Sequence, residues 1–135
     1  MRVVIVGAGK VGFSLAQYLA QENHEVIVIE NDEERRSVVQ NSLDVMTIAG
    51  NGASPGVLLD REIKTADLLI AVTDSDEVNM IACMAAKQAG IKKTIARVRN
   101  QEYAEKDKLK FNQALGIDLT INPEMVTALE SAAFF

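Results

Sequence analysis

A small set of residues in this sequence has the types and spacing to do chemistry, and most of it is phosphate chemistry. Gly7-Ala8-Gly9-Lys10-Val11-Gly12 has the spacing of a phosphate cradle. In such a turn Gly7 permits a tight reversal, Gly9 offers no Cβ to obstruct a pyrophosphate, and Gly12 lets a helix pack close to the strand before it. The backbone N–H groups at Lys10 and Val11 then belong to the positive end of a helix and face the phosphates. Glu30 stands 18 residues beyond Gly12, ending the run Val26-Ile27-Val28-Ile29. An acid in that place accepts hydrogen bonds from a ribose and repels a 2′-phosphate, which favours NAD-type or adenosine nucleotides over NADP. Asp32 reads as the cap of the next helix, and Arg35 and Arg36 read as charges on its solvated face.

Three further segments carry polar groups between the same kinds of run. Ala49-Gly50-Asn51-Gly52-Ala53-Ser54 has glycines that suit close approach of an adenine or ribose, with Asn51 offering an amide; a tight turn with Ser54 as helix cap explains it equally. Thr73-Asp74-Ser75-Asp76-Glu77 places Thr73 and Asp74 beside the expected crevice. The Asp74…Glu77 spacing is also a capping box, a role at least as strong as ligand contact. Arg97 and Arg99 bracket the end of another apolar run, where either can meet a phosphate or stay an ordinary surface charge. Groups for covalent or proton-transfer catalysis are scarce. The single His, His24, falls in a turn before an apolar run, and the single Cys, Cys83, falls inside an apolar helical stretch. That leaves no Ser-His-Asp set, no metal cluster of His and Cys, and no internal disulfide.

These residues are positioned by a regular alternation. Short runs rich in Val and Ile, Arg2–Val6, Glu25–Ile29, Val45–Ala49, Leu68–Val72, Thr94–Val98 and Leu119–Ile121, read as strands buried on both faces. Between them the spacing predicts helices over about 10–22, 32–42, 54–64, 76–89, 101–115 and 123–135, the last opened by Pro123. Gly90 and Gly116 stand where left-handed C-caps are wanted. Strand–helix repetition of this kind predicts an α/β fold in three layers: a Rossmann-type, doubly wound, parallel six-stranded sheet in the order 3-2-1-4-5-6, with a C-terminal crossover helix. Six such units in 135 residues leave no room for an inserted domain, so residues 1–135 read as one nucleotide-binding unit. The last helix ends on Phe134-Phe135 without a cap, which fits cover by a partner subunit or a downstream domain, with an ordinary frayed end as the alternative.

The 14 basic against 19 acidic residues give a net charge of −5, which supplies no electrostatic reason to bind nucleic acid or an anionic membrane. No run of ~18–20 apolar residues is present to span a bilayer, so membrane contact has to come through a partner.

The order of the motifs resembles the N-terminal lobe of the regulator-of-potassium-conductance (RCK/KTN) family, and within it the Trk-type potassium uptake regulatory subunits. The resemblance rests on Gly7–Gly12, Ile29-Glu30, Gly50-Asn51-Gly52-Ala53-Ser54, Thr73-Asp74-Ser75-Asp76-Glu77-Val78-Asn79, Ala96-Arg97-Val98-Arg99 and Ile121-Asn122-Pro123-Glu124. It implies a cytoplasmic, non-enzymatic regulatory subunit that binds NAD or NADH, or ATP or ADP, and gates a separate membrane potassium channel or transporter. It also implies pairing into a homodimer or a higher ring, with the helix from Pro123 packed on a neighbouring lobe. In some relatives a Glu matching Glu124 helps bind a divalent cation, and an Arg in the place of Lys10 contacts the terminal phosphate. Here that place holds Lys, a point charge without a bidentate fork. The family's C-terminal lobe is absent from this sequence. An alternative reading is the cofactor domain of an NAD-dependent oxidoreductase, which would need a substrate pocket and a general acid or base. A redox-sensing transcription regulator on the same fold would need a basic DNA-reading helix, which the charge does not favour.

Overall fold

The computed structural model describes residues 1–104 and 109–121; the expected helix over 123–135, with Glu124, lies outside the described residues. The apolar runs become strands β1 (Arg2–Val6), β2 (Glu25–Glu30), β3 (Met46–Ala49), β4 (Leu68–Ala71), β5 (Lys93–Arg97) and β6 (Leu119–Ile121). Every neighbouring pair is parallel. The order is β3-β2-β1-β4-β5-β6, as the alternation predicts. The connecting segments form α1 (Lys10–Gln21), α2 (Glu33–Ser42), α3 (Pro55–Leu58), α4 (Arg61–Lys64), α5 (Asp76–Ala89), α6 (Gln101–Ala104) and α7 (Leu109–Ala114).

Two cores flank the sheet because successive strand residues point to opposite faces. On one face Val3, Ile5, Val28 and Ile70 pack with Leu15 and Leu19 of α1 and Val39 of α2. On the other, Val4, Ile27 and Leu69 pack with Leu58, Ile63 and, from α5, Cys83 and Ala86. Gly90 closes α5 with φ of +106°, the left-handed cap its position predicts.

Some local expectations are corrected. β3 is not buried on both faces: it is an edge strand, and Met46 is left exposed. The helix expected over 54–64 is two short turns, because Asp60 interrupts it and restarts the second by accepting from the Glu62 N–H at 2.9 Å. Ser54 occupies the first cap position without a side-chain cap bond. The cap of α5 is Ser75 rather than Asp74: the Ser75 hydroxyl accepts from the Val78 N–H at 3.2 Å. Strands β2, β3 and β4 differ from the expected bounds by one residue at one end, and β5 by one at each end, the usual scatter of such boundaries.

The ends of β5 and β6 remote from the glycine turn are joined by one carboxylate. Asp118 accepts from Lys87 Nζ at 2.5 Å and from the Thr94 N–H at 2.9 Å, while the buried Thr94 hydroxyl donates to the Gly116 carbonyl. Burial works against ionisation of Asp118, but the Lys87 and Thr94 hydrogen bonds outweigh it and hold the carboxyl below its ordinary range. A depressed folded-state pKa stabilises the fold above about pH 4 and ceases to do so as pH falls through the folded value. Asp118→Asn is therefore expected to lower stability at pH 7 by no more than about 1 kcal/mol, since the site is partly solvated. Denaturant melts at pH 7 and pH 3 should show the gap between the two proteins narrowing at the lower pH.

Candidate functional site

The strand order reverses between β1 and β4, so the chain leaves these neighbours toward opposite faces and opens a crevice above their C-terminal ends. The glycine turn lies in that crevice. Gly7 takes φ of +104°, which a residue with a Cβ rarely adopts, and its N–H donates to the Ile29 carbonyl at 2.9 Å. A Cβ on Gly12 would stand 1.8 Å from the Gly7 carbonyl oxygen, so only glycine allows α1 to approach β1 this closely. Gly9 is different. Its φ is −72°, open to any residue, and a Cβ there would meet only Arg35 Nη1, at 3.8 Å. Among the described residues no packing contact requires glycine at position 9, and the space beside it is open. Lys10, Val11 and Gly12 form the first turn of α1, whose N–H groups have no acceptor within the helix. Lys10 is exposed, and the Val11 side chain packs against the core.

Glu30 bridges the turn from the end of β2. Its carboxylate accepts from the Ala8 N–H at 2.7 Å and from the Asp32 N–H at 3.0 Å. A carboxylate has about four acceptor positions, so two remain for a ligand hydroxyl. Asp32 caps α2 as expected, through the Arg35 N–H at 2.9 Å. Arg36 turns back to donate to the Glu30 carbonyl at 3.0 Å. The sequence reading of both arginines as solvated charge thus missed their placement: Arg35 overhangs Gly9 and Arg36 braces the strand that carries Glu30. The signal available was their position three and four residues after the Asp32 cap, in the first turn of the helix.

Gly7, Glu30, Asn51, Gly52 and Thr73 line one part of the crevice, an open cavity of about 80 Å³. Asn51 spends its side-chain carbonyl on the Ala53 N–H at 2.9 Å, the tight-turn role. Gly52 is buried against β1, where a Cβ would come within 2.2 Å of Val6, so packing alone requires glycine there. Asp74 and Arg97 stand outside this cavity. Asp74 is exposed, and its carboxylate lies 3.7 Å from Arg97 Nη1. The Arg97 side chain is only 11% exposed, and its buried Nε has no hydrogen-bond partner. Arg99 donates from its guanidinium to the Asp74 carbonyl. Asp76, which the sequence marked only as helix-start charge, accepts from the Arg99 and Asn100 N–H groups at 3.0 and 2.8 Å. A larger hollow of about 790 Å³ lies at the opposite end of the sheet, between Met1, Leu68, Ile95 and Leu119. None of its described lining residues belongs to the glycine turn, and the crevice remains the candidate site.

His24 sits at that opposite end, its Nδ1 3.2 Å from the N-terminal amine. Cys83 is buried, and burial pushes its thiol up to about 12, which keeps it neutral and unreactive at ordinary pH. Among the described residues no three His, Cys, Asp or Glu side chains are grouped to hold a metal ion. Among the same residues no helix is long and apolar enough to cross a membrane.

An all-parallel sheet in this order, with a glycine turn at its reversal point, defines a Rossmann-type domain. Within that class the chain belongs to the TrkA-N domain family, which matches residues 3–123. It is 46% identical over 132 residues to the Trk system potassium uptake protein TrkA homolog of Archaeoglobus fulgidus, covering 98% of this chain and 30% of that protein. The chain thus spans about a third of the length of such relatives. Its fold is similar to the TrkA-N domain of the inner membrane protein YbaL from Escherichia coli, with a TM-score of 0.76 and 21% identity over 94% of this chain and 90% of that one. It is also similar to the GsuK channel bound to NAD, with a TM-score of 0.75 and 18% identity over 89% of this chain and 21% of that one.

The two glycines of the turn should separate by their reasons for being glycine. Gly12→Ala is expected to destabilise the fold by about 3 kcal/mol or more, since α1 must move off β1. Gly9→Ala is expected to change stability by less than about 1 kcal/mol. Urea unfolding of the two variants against the parent measures the contrast.

Proposed function

We propose that this chain is a nucleotide-sensing regulatory lobe whose crevice takes NAD or NADH, or in their place ATP or ADP. The observation that carries the reading is Gly9: an open, unstrained glycine at a helix start, with no packing reason to lack a side chain. A pyrophosphate lying against the first turn of α1 supplies that reason. On this reading the N–H groups of the Gly7–Gly12 turn, with Lys10 and Val11, meet the phosphates. The free lone pairs of Glu30 take ribose hydroxyls, Asn51, Gly52, Thr73 and Asp74 border the base and ribose, and Arg97 meets a phosphate. Glu124 would join from beyond β6. The similar fold of the neighbour solved as the GsuK channel bound to NAD supports a dinucleotide as one occupant.

The regulated partner is read from the relatives named as potassium uptake proteins: a membrane potassium transporter or channel, with this lobe non-enzymatic, cytoplasmic and attached through that partner. Residues 1–135 then form one lobe of a larger assembly, a homodimer or ring in which the segment from about 123 to 135 packs on a neighbour. A ligand shifts such an assembly only by binding one arrangement better than another, and a difference of about 1–3 kcal/mol is sufficient.

Isothermal titration with NADH and with ATP tests the site. Glu30→Ala and Gly9→Asp are each expected to weaken binding by about tenfold or more, the first by removing a charged acceptor and the second by placing a carboxylate where phosphate lies. Unaltered affinity in both variants would sink the assignment.

A further inference from the structure

Asn79 lies in the first turn of α5 and is wholly buried, yet it belongs to neither core. Its amide is spent on two strand ends. The side-chain oxygen accepts from the Thr73 N–H at 2.8 Å and from the Thr73 hydroxyl at 2.6 Å. The nitrogen donates to the Thr73 carbonyl at 3.1 Å and to the Arg97 carbonyl at 2.9 Å. Two donors and two acceptor lone pairs are the full capacity of an asparagine side chain.

The place of these bonds matters. The ladder between β4 and β5 ends with the pair Ala71 and Ala96. Beyond it the two chains diverge, and Asn79 takes over the joining of them. Thr73, on one side, is the residue against which Gly7 packs: its N lies 3.1 Å from where a Gly7 Cβ would stand. Arg97, on the other, is the cation whose buried Nε has no partner. The Val98 N–H, one residue on, donates to the Ile121 carbonyl at 2.9 Å and passes the same register to β6. One amide therefore ties the β4 loop, which lies against the glycine turn, to the backbone that carries Arg97.

We propose that Asn79 is a positioning residue of the nucleotide crevice, holding Thr73 against the glycine turn and the Arg97 end of β5 in the single arrangement that a phosphate-bearing ligand requires. This rests on the nucleotide reading above. Asn79→Asp keeps the shape and the acceptors but loses both donors and sets a carboxylate against the Thr73 and Arg97 carbonyls.

The test compares NADH and ATP affinity by calorimetry in the parent chain, Asn79→Asp and Leu19→Ala, at a temperature where circular dichroism shows all three folded. Leu19 packs at the far end of α1, where its carbonyl accepts from the His24 N–H, so its truncation lowers stability away from the crevice. Asn79→Asp is expected to lose about tenfold or more in affinity while Leu19→Ala stays within about twofold of the parent. Affinity retained in Asn79→Asp, or lost equally in Leu19→Ala, overturns the proposal. Where Asn79→Asp does not fold, Thr73→Val decides: it removes the hydroxyl that bonds Asn79, together with its two bonds to the Ser75 backbone, and is expected to weaken binding by about threefold or more, and parental affinity overturns the proposal. A parent chain that binds neither NADH nor ATP overturns the nucleotide reading and this proposal together. Parental binding with an unaltered Asn79→Asp overturns this proposal alone.

Discussion

The close approach of α1 to β1 at Gly12 is the constraint from which the rest of the crevice follows. With the Gly7 carbonyl oxygen only 1.8 Å from where a Cβ would be, helix and strand meet with no side chain between them. That contact sets the angle at which α1 leaves the sheet, and so it aims the unpaired N–H groups of the first helical turn into the crevice. It also forces Gly7 into its left-handed conformation, which in turn brings the Ala8 N–H to the Glu30 carboxylate. A strand end, a turn and a helix start are thus fixed by one steric fact. Val6 against Gly52 repeats the device on the β3 side, where a loop is drawn onto the sheet because it too lacks a side chain.

Charge is arranged on this frame in a way the net value of −5 does not suggest. Acidic groups near the crevice are mostly engaged with backbone N–H groups. Glu30 holds Ala8 and Asp32, Asp32 holds Arg35, and Asp76 holds Arg99 and Asn100. Each takes up donors that a helix start or a loop would otherwise leave bare, and each is favoured by the local dipoles. Arg36 and Arg99 donate to the Glu30 and Asp74 carbonyls, whereas Arg97 has one loose ion pair and the Arg35 guanidinium stands over Gly9. Potential at a site depends on which charges face it and not on the net value alone.

What the sequence disclosed and what it hid divide along a physical line. Strand order, parallel pairing and the glycine turn depend on periodicity and on residues whose side chains are small or absent, and both are visible in a string of letters. Glu30 was legible because its place is set by counting from Gly12. Asn79 was not. An asparagine in the first turn of a helix ordinarily reads as a local cap competitor, and only the divergence of β4 and β5 gives it four partners. Ser75 displaced Asp74 as the cap for a related reason: Asp76 and Arg99 tie the two loops across the sheet, and such ties are invisible to local spacing. The interruption at Asp60 was readable, since an Asp before Arg61-Glu62 is an ordinary cap signal, but the apolar spacing on either side masked it. Gly52 shows the converse: Val6 alone is reason enough for a glycine there, a contact that local spacing does not reveal.

On the proposed reading, sensing places a demand on this fold that binding alone does not. A crevice that accepted nucleotide equally well in every arrangement of the assembly would bind tightly and regulate nothing. The ligand must therefore touch parts of the chain whose relative positions can differ. The glycine turn cannot be such a part, because the Gly12 contact leaves it no freedom. The strand ends beyond the last ladder pair can. Past Ala71 and Ala96 each strand keeps its backbone bond to its other neighbour, Val72 to Val6 and Val98 to Ile121, but the two are tied to each other by side chains, Asn79 within and Asp76 outside. Side-chain ties of this kind have alternatives in water or in a ligand, whereas ladder bonds in the middle of a buried sheet do not. The rigid half of the crevice then supplies affinity, and the tied half, leading through Val98 and Ile121 to the end of β6, is where a difference between arrangements can be registered.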